Sequence, residues 1–259
     1  MARLSRTLAL ALSITAMPLA AQDITGVFDM GLLTGDAAMD PVIEQSREMA
    51  IRNGEADPLP DRPRTRPLPS NLARTWGRSA EPIPPSALSQ LTYRPSQSVR
   101  RANFARFVER SRAADPQGAQ KLAEALESTD VIAAAEREMA PMGLSPANVA
   151  DATSVYLANA WMLLNNKVDD PSPVAMRALR DQIASAMIAT PELRTTDDAG
   201  KQELAEAMII HAIMISQYIE VGKASPDSMP AIQNAVASGV AGTLGMDLRG
   251  KTLDESGLH

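Results

Sequence analysis

The 259-residue chain has no cysteine, only two histidines (His211 and His259), and 3% aromatic residues. Each shortage excludes a class of chemistry. Without cysteine there are no disulfides, no thiol for lipid attachment at an export signal, and no thiolate nucleophile. Two histidines and no cysteine also rule out a zinc centre of the usual His/Cys kind. The helical stretches lack the Glu-x-x-His pairs of di-iron bundles. The acid-rich loops "VDDP" and "TTDDAG" lack calcium-loop spacing with its closing glutamate. Asp169, Asp170, Asp197 and Asp198 therefore read as helix caps and turn residues, and no metal is expected. No phosphate loop or dinucleotide glycine pattern is present, so no cofactor is expected either. Gly-x-Ser-x-Gly and Ser-x-x-Lys are likewise missing. Gly239, Gly242 and Gly245 follow no strand, and they suit close helix packing or a helix end.

Long hydrophobic runs are also missing. The run Leu8 to Met17 is about half the length of a bilayer-spanning helix. Arg3 and Arg6 precede it, and Pro18-Leu19-Ala20-Ala21 follows, which is the order of a secretory leader. Cleavage after Ala21 is expected, with no transmembrane anchor thereafter. The mature chain would be periplasmic or secreted. About 240 residues then remain, enough for one sizeable core or two small domains. With so few aromatics, that core must be built from alanine, leucine, isoleucine and methionine, a composition suited to closely packed helices.

Proline is abundant but confined. Ten of the nineteen prolines fall between Pro41 and Pro95. Each fixes its own φ and drives the preceding residue out of the helical region. Residues 22–54 hold a short apolar segment and a small helix, and residues 55–96 read as an irregular proline- and arginine-rich arm. From residue 97 to 259 helix follows helix, with start signals such as Asp115-Pro116, Ser145-Pro146 and Ser172-Pro173. The expected fold is all-α, a bundle of six or seven antiparallel helices behind the arm. No alternating strand pattern competes with that reading.

The charge is split along the chain. Residues 53–112 contain eleven arginines and no lysine against five acids, whereas residues 113–259 hold ten basic and twenty acidic residues. Such a division predicts either docking of the arm on the body or engagement of an external anion. Arg62, Arg64, Arg66, Arg74 and Arg78, spaced by prolines around Trp76, are the candidate interaction residues. The expected partner is an envelope protein or an anionic surface. Nucleic acid is not expected, because the protein as a whole is acidic.

Within the helices, polar groups on apolar faces are the catalytic candidates. In "NVADATSVYLANAWMLLNN", Val149, Tyr156, Ala160 and Leu163 fall within roughly 60° of arc. Only a narrow strip near Asp151, Ser154, Ala158 and Asn165 is left for water, as in a central helix. His211 shares a face with Leu204, Met208 and Ile215, which suits a core histidine with a hydrogen-bonded tautomer. Glu206, Asp151 or Tyr156 could instead join it across a crevice as an acid–base group. Glu203 and Glu206 share a helix face, where they also complement the dipole.

The runs "LTYRPSQSVRRANFARFV", "NVADATSVYLANAW", "KQELAEAMIIHA" and "LGMDLRGKTLDESG" resemble an uncharacterised family of exported, alanine-rich helical bacterial proteins. The resemblance covers roughly Leu91 to Leu258. It implies a discrete helical domain and carries over no catalytic residue. Two functions from different classes are expected: a non-enzymatic interaction module of the cell envelope, or a metal-independent hydrolase or lyase acting on an envelope polymer through crevice carboxylates and His211.

Overall fold

The computed structural model describes residues 83–114, 116–190, 193 and 195–259. The expected leader, the apolar segment and the arginine-rich part of the arm lie outside the described residues. The fold is all-α, as the helical periodicity predicts. Among the described residues seven helices with defined bounds run from Gln97 onward: α2 (Gln97–Ala114), α3 (Pro116–Ser128), α4 (Val131–Met139), α5 (Val149–Leu164), α6 (Pro173–Ile188), α7 (Asp198–Ala224) and α8 (Met229–Leu244). An additional four-residue helix, α1 (Pro85–Leu88), precedes them within what the sequence assigns to the irregular arm. A single turn of 3-10 helix then leads to Leu91, and both Leu91 and Tyr93 are buried in the main core. Residues 83–96 thus belong to the packed body, because two large side chains there have more surface to bury than the prolines can keep extended.

α5 is the axis of the bundle, packed against α7, α6 and α8. All sixteen of its residues are buried, including Asp151, Ser154 and Ala158. The strip that the helical wheel leaves for water is therefore covered, and only Asn165 just beyond the helix stays partly exposed. Burial of the strip works because its polar groups are satisfied locally. The Thr153 hydroxyl donates to the Val149 carbonyl and the Ser154 hydroxyl to the Asp151 carbonyl, both at 2.7 Å. The helix also begins later than Ser145-Pro146 suggests. Asn148 is the N-cap, with its Oδ1 accepting from the amides of Ala150 and Asp151.

Other boundaries match their start and stop signals. Ser172 caps α6 through the Ala175 amide, and Asp197 caps α7 through the Gly200 amide at 2.8 Å. Asp130 caps α4 in the same way. Gly143 (φ 74°) closes the turn after α4, and Gly245 (φ 67°) ends α8, both in the left-handed region that favours glycine. α7 is long and apolar enough to cross a membrane, but two-thirds of its most apolar window (67%) is packed inside the protein. α2 and α3 lie against α7 through a second, smaller core of Phe107, Val108, Ala119, Leu122 and Ile210.

The chain ends in a feature that helical periodicity does not reveal. β1 (Leu253–Asp254) and β2 (Gly257–Leu258) form an antiparallel hairpin that packs on α6. The mutual hydrogen bonds of Thr252 and His259 extend the pairing by one residue. The turn-forming "DESG" is its only local signal, since two residues per strand are too few to show alternation.

Candidate functional site

Among the described residues, a cluster of buried polar side chains lies where α2 crosses the first half of α7. Glu206 is only 1% exposed, and both of its oxygens are engaged. Oε1 accepts from Arg100 Nε at 2.9 Å and from Gln202 Nε2 at 2.8 Å, and Oε2 accepts from Asn103 Nδ2 at 2.7 Å. Asn103 Oδ1 in turn accepts from Arg106, whose Nε reaches Glu203 at 3.3 Å. Gln202 also clasps the backbone of Ser96, accepting from its amide and donating to its carbonyl, each at 2.9 Å. Sequence reasoning picked out Glu203 and Glu206 but missed Arg100, Asn103, Arg106 and Gln202. The signals were present: positions 100, 103 and 106 recur every third residue on one face of α2, and Gln202 precedes Glu206 by one turn. They were hidden because arginine on a helix normally faces water.

Asp151 belongs to a different network. Its Oδ2 accepts from the Ser145 amide at 2.9 Å, and its Oδ1 faces Arg180 Nη1 at 3.4 Å. Burial is the main cause of a carboxyl pKa raised to about 6, opposed by the Ser145 bond and Arg180 and assisted by Asp181. His211 occupies a third environment. Its Nδ1 lies 2.8 Å from the Ala207 carbonyl, to which the protonated nitrogen donates, and its ring stands edge-on to Phe107 (5.0 Å) and Tyr156 (6.1 Å). Burial raises the Tyr156 hydroxyl pKa well above the ordinary phenol value. Of the four catalytic candidates, the structure pairs His211 with Tyr156. Asp151 is engaged by Ser145 and Arg180, and Glu206 by Arg100, Asn103 and Gln202. Among the described residues no group of three or more histidine or acidic side chains could hold a metal ion.

A serine, a histidine and an aspartate also meet on the exposed C-terminal hairpin, a grouping that the sequence reading did not single out. Here the Ser256 hydroxyl donates to Asp254 at 2.6 Å, whereas His259 Nδ1 lies 3.5 Å from that hydroxyl. His259 Nε2 also lies 3.7 Å from Asp254 Oδ2, but the Ser256 proton goes to Asp254 and not to the imidazole, so the histidine is not placed as a nucleophile's general base must be. Ser256 also lowers the Asp254 pKa by hydrogen bonding, which is ordinary turn chemistry.

Several other polar side chains act as fasteners between distant runs of sequence. Asn148 Nδ2 donates to the Leu88 carbonyl and to Thr92 Oγ1, at 3.0 and 3.1 Å. The Tyr93 hydroxyl donates to the Pro146 carbonyl, and the Tyr93 amide to Ala147. The Trp161 indole donates to the Lys251 carbonyl at 2.8 Å. Asn165 donates to Leu248 and accepts from the Gly250 amide. Gln182 clasps Leu258 just as Gln202 clasps Ser96, with bonds of 2.8 and 3.3 Å. The four runs that carry the family resemblance are thus linked to one another through these side chains.

Arg62, Arg64, Arg66, Arg74, Trp76 and Arg78, the candidate interaction residues, lie outside the described residues. Neither curated proteins nor solved structures gave a significant match. Residues 64–258, three-quarters of the chain and the whole described body but its last residue, match a family of unknown function, DUF6683, and the protein belongs to that family.

Proposed function

We propose that this protein is a non-enzymatic binding module of the cell envelope, exported by its N-terminal leader. In this reading the helical body is a scaffold, and the proline- and arginine-rich segment 55–82 makes the contact. The observation that carries the reading is how the candidate catalytic groups are spent. Glu206 and Asp151 are committed to separate internal networks, and His211 is walled by Phe107 and Tyr156. A catalytic constellation needs its acid, base and reacting atom within hydrogen-bond reach of one another.

The partner that best fits segment 55–82 is an anionic surface. Its arginines alternate in sequence with prolines, and a guanidinium group offers a planar fork that suits phosphate. Anionic lipid headgroups supply the matching phosphates. The test is cosedimentation of the chain from Gln22 onward with vesicles of phosphatidylglycerol or of phosphatidylcholine. Binding should occur only to the anionic vesicles and should weaken as salt shortens the Debye length. Replacing Arg62, Arg64, Arg66, Arg74 and Arg78 together by glutamine should abolish it. Equal binding to both vesicles, or an unaffected variant, overturns the reading.

A further inference from the structure

We propose that Asp151, Arg180 and Asp181 form a latch that tightens on acidification and holds the turn 143–148, the dock for the base of the N-terminal arm. One cation here serves two carboxylates. Arg180 Nε donates to Asp181 Oδ1 at 2.6 Å, while its Nη1 stands 3.4 Å from Asp151 Oδ1. The Asp151, Arg180 and Asp181 side chains are only 8%, 13% and 13% exposed, so the cluster keeps one uncompensated negative charge out of water. A proton on Asp151 Oδ1 neutralises that charge. Oδ2 remains free to accept from the Ser145 amide, and Arg180 is left wholly to Asp181.

The other charged groups around this site do not take over that role. On α6, Arg177 is turned to the Met142 carbonyl. Glu136, from α4, receives the Ser145 hydroxyl at 3.3 Å and adds only further negative charge. On the α7 side, Glu206 is occupied by Arg100, Asn103 and Gln202, and His211 is tied to Ala207. No charged group of α8 figures among the causes of the Asp151 shift.

The direction follows from linkage. The latched state holds the Asp151 proton with a pKa of about 6, whereas an opened, hydrated turn returns it to 3.8. The latched state therefore binds the proton more tightly and gains population as pH falls. Opening is favoured progressively as pH rises from 3.8 through about 6 and levels off above that. The turn receives Tyr93 at Pro146 and Ala147, and Asn148 holds Leu88 and Thr92. Opening it consequently slackens the point where the arm joins the body, whatever the arm binds.

The test is amide hydrogen exchange of the chain from Gln22 onward at pH 5 and pH 7.5, corrected for intrinsic chemical exchange. Peptides covering residues 88–94 and 143–152 should open more at pH 7.5 by about tenfold, the share of the roughly hundredfold total for a two-unit separation that falls above pH 5. Peptides from the middle of α7 should not change. Asp151→Asn should remove the pH dependence. Asp181→Asn, which gives Arg180 to Asp151 alone, should shift its midpoint downward. Should Asp151→Asn fail to fold, an unmoved midpoint in Asp181→Asn overturns the latch by itself. Identical profiles for the wild type and Asp151→Asn, or protection that rises with pH, overturn it equally.

Discussion

At the scale of single residues, the molecule is organised by amide and carboxylate side chains that bond to backbone. Glu206 is the most demanding of them, because three donors converge on a group that water does not reach. Removing one partner of such a set strands the others. Glu206→Ala should destabilise the fold by about 3–5 kcal/mol, as broken buried ion pairs do. Glu206→Gln should cost less, since its remaining oxygen still accepts while its new N–H₂ faces existing donors. Urea unfolding of the two variants checks both the size and the order. Gly257 is the other sensitive residue. Its φ of 98° disfavours a side chain, and a Cβ there would collide with Gln182 Oε1, the atom that accepts from Leu258. Gly257→Ala should lower stability by about 1–3 kcal/mol, the cost of a strained backbone and a disturbed buried acceptor. Thermal unfolding measures the loss, and Gln182→Ala in the same background should cost little more because the clasp is already broken.

At the scale of elements, α5 shows how an amphipathic reading can be correct in direction and still incomplete. Its apolar arc predicts a central helix, and α5 is central. Its polar residues looked like a wetted strip because the wheel counts side chains and cannot see intrahelical hydroxyl bonds or the neighbours supplied by α6 and α8. α2 gives the converse case. Its apolar residues Phe104, Phe107 and Val108 pack inward as aromatic and branched side chains do, whereas Asn103 and Arg106 are buried because α7 offers Glu203 and Glu206. No local pattern reports a partner roughly a hundred residues away. The segment before α2 was read as arm on the strength of its prolines. Leu91 and Tyr93, however, bury enough surface to fold it in. A fragment of residues 97–259 should therefore be less stable than one of residues 83–259 by about 3–6 kcal/mol, at roughly 1.5–3 kcal/mol for each of the two large side chains returned to water. Comparing their unfolding midpoints in urea decides whether the folded unit begins before α1 or at α2.

At the scale of the whole molecule, the body has two apolar cores bridged by partly buried residues such as Phe104, Leu126 and Met214, which pack against both. Val168 and Val174 are the large apolar residues left exposed among the described ones. They occupy the connection between α5 and α6 and the first turn of α6, and they stand alone rather than forming a broad patch. The body's charge is predominantly acidic from residue 113 onward, opposite to that of the segment preceding it. That opposition is why the proposed surface binding must be tested against salt: dissociation by moderate salt is expected for exposed arginines and phosphates, whereas the buried Arg100–Glu206 pair should persist.

What the sequence determined unaided is whatever depends on local order. Proline spacing, helix caps and apolar periodicity act over a few residues, so the all-α class, most helix starts and stops and the centrality of α5 could be read directly. The absence of cysteine and the scarcity of histidine excluded whole classes of chemistry without reference to shape. Tertiary structure alone decided the rest. It joined Gln202 to Ser96, Asn148 to Leu88, and Trp161 to Lys251, and it set Asp151 against a guanidinium already claimed by Asp181. Those pairings are set by chain crossing, where a buried polar group takes whichever partner packing brings within hydrogen-bond distance, and nothing in the neighbouring residues encodes that partner.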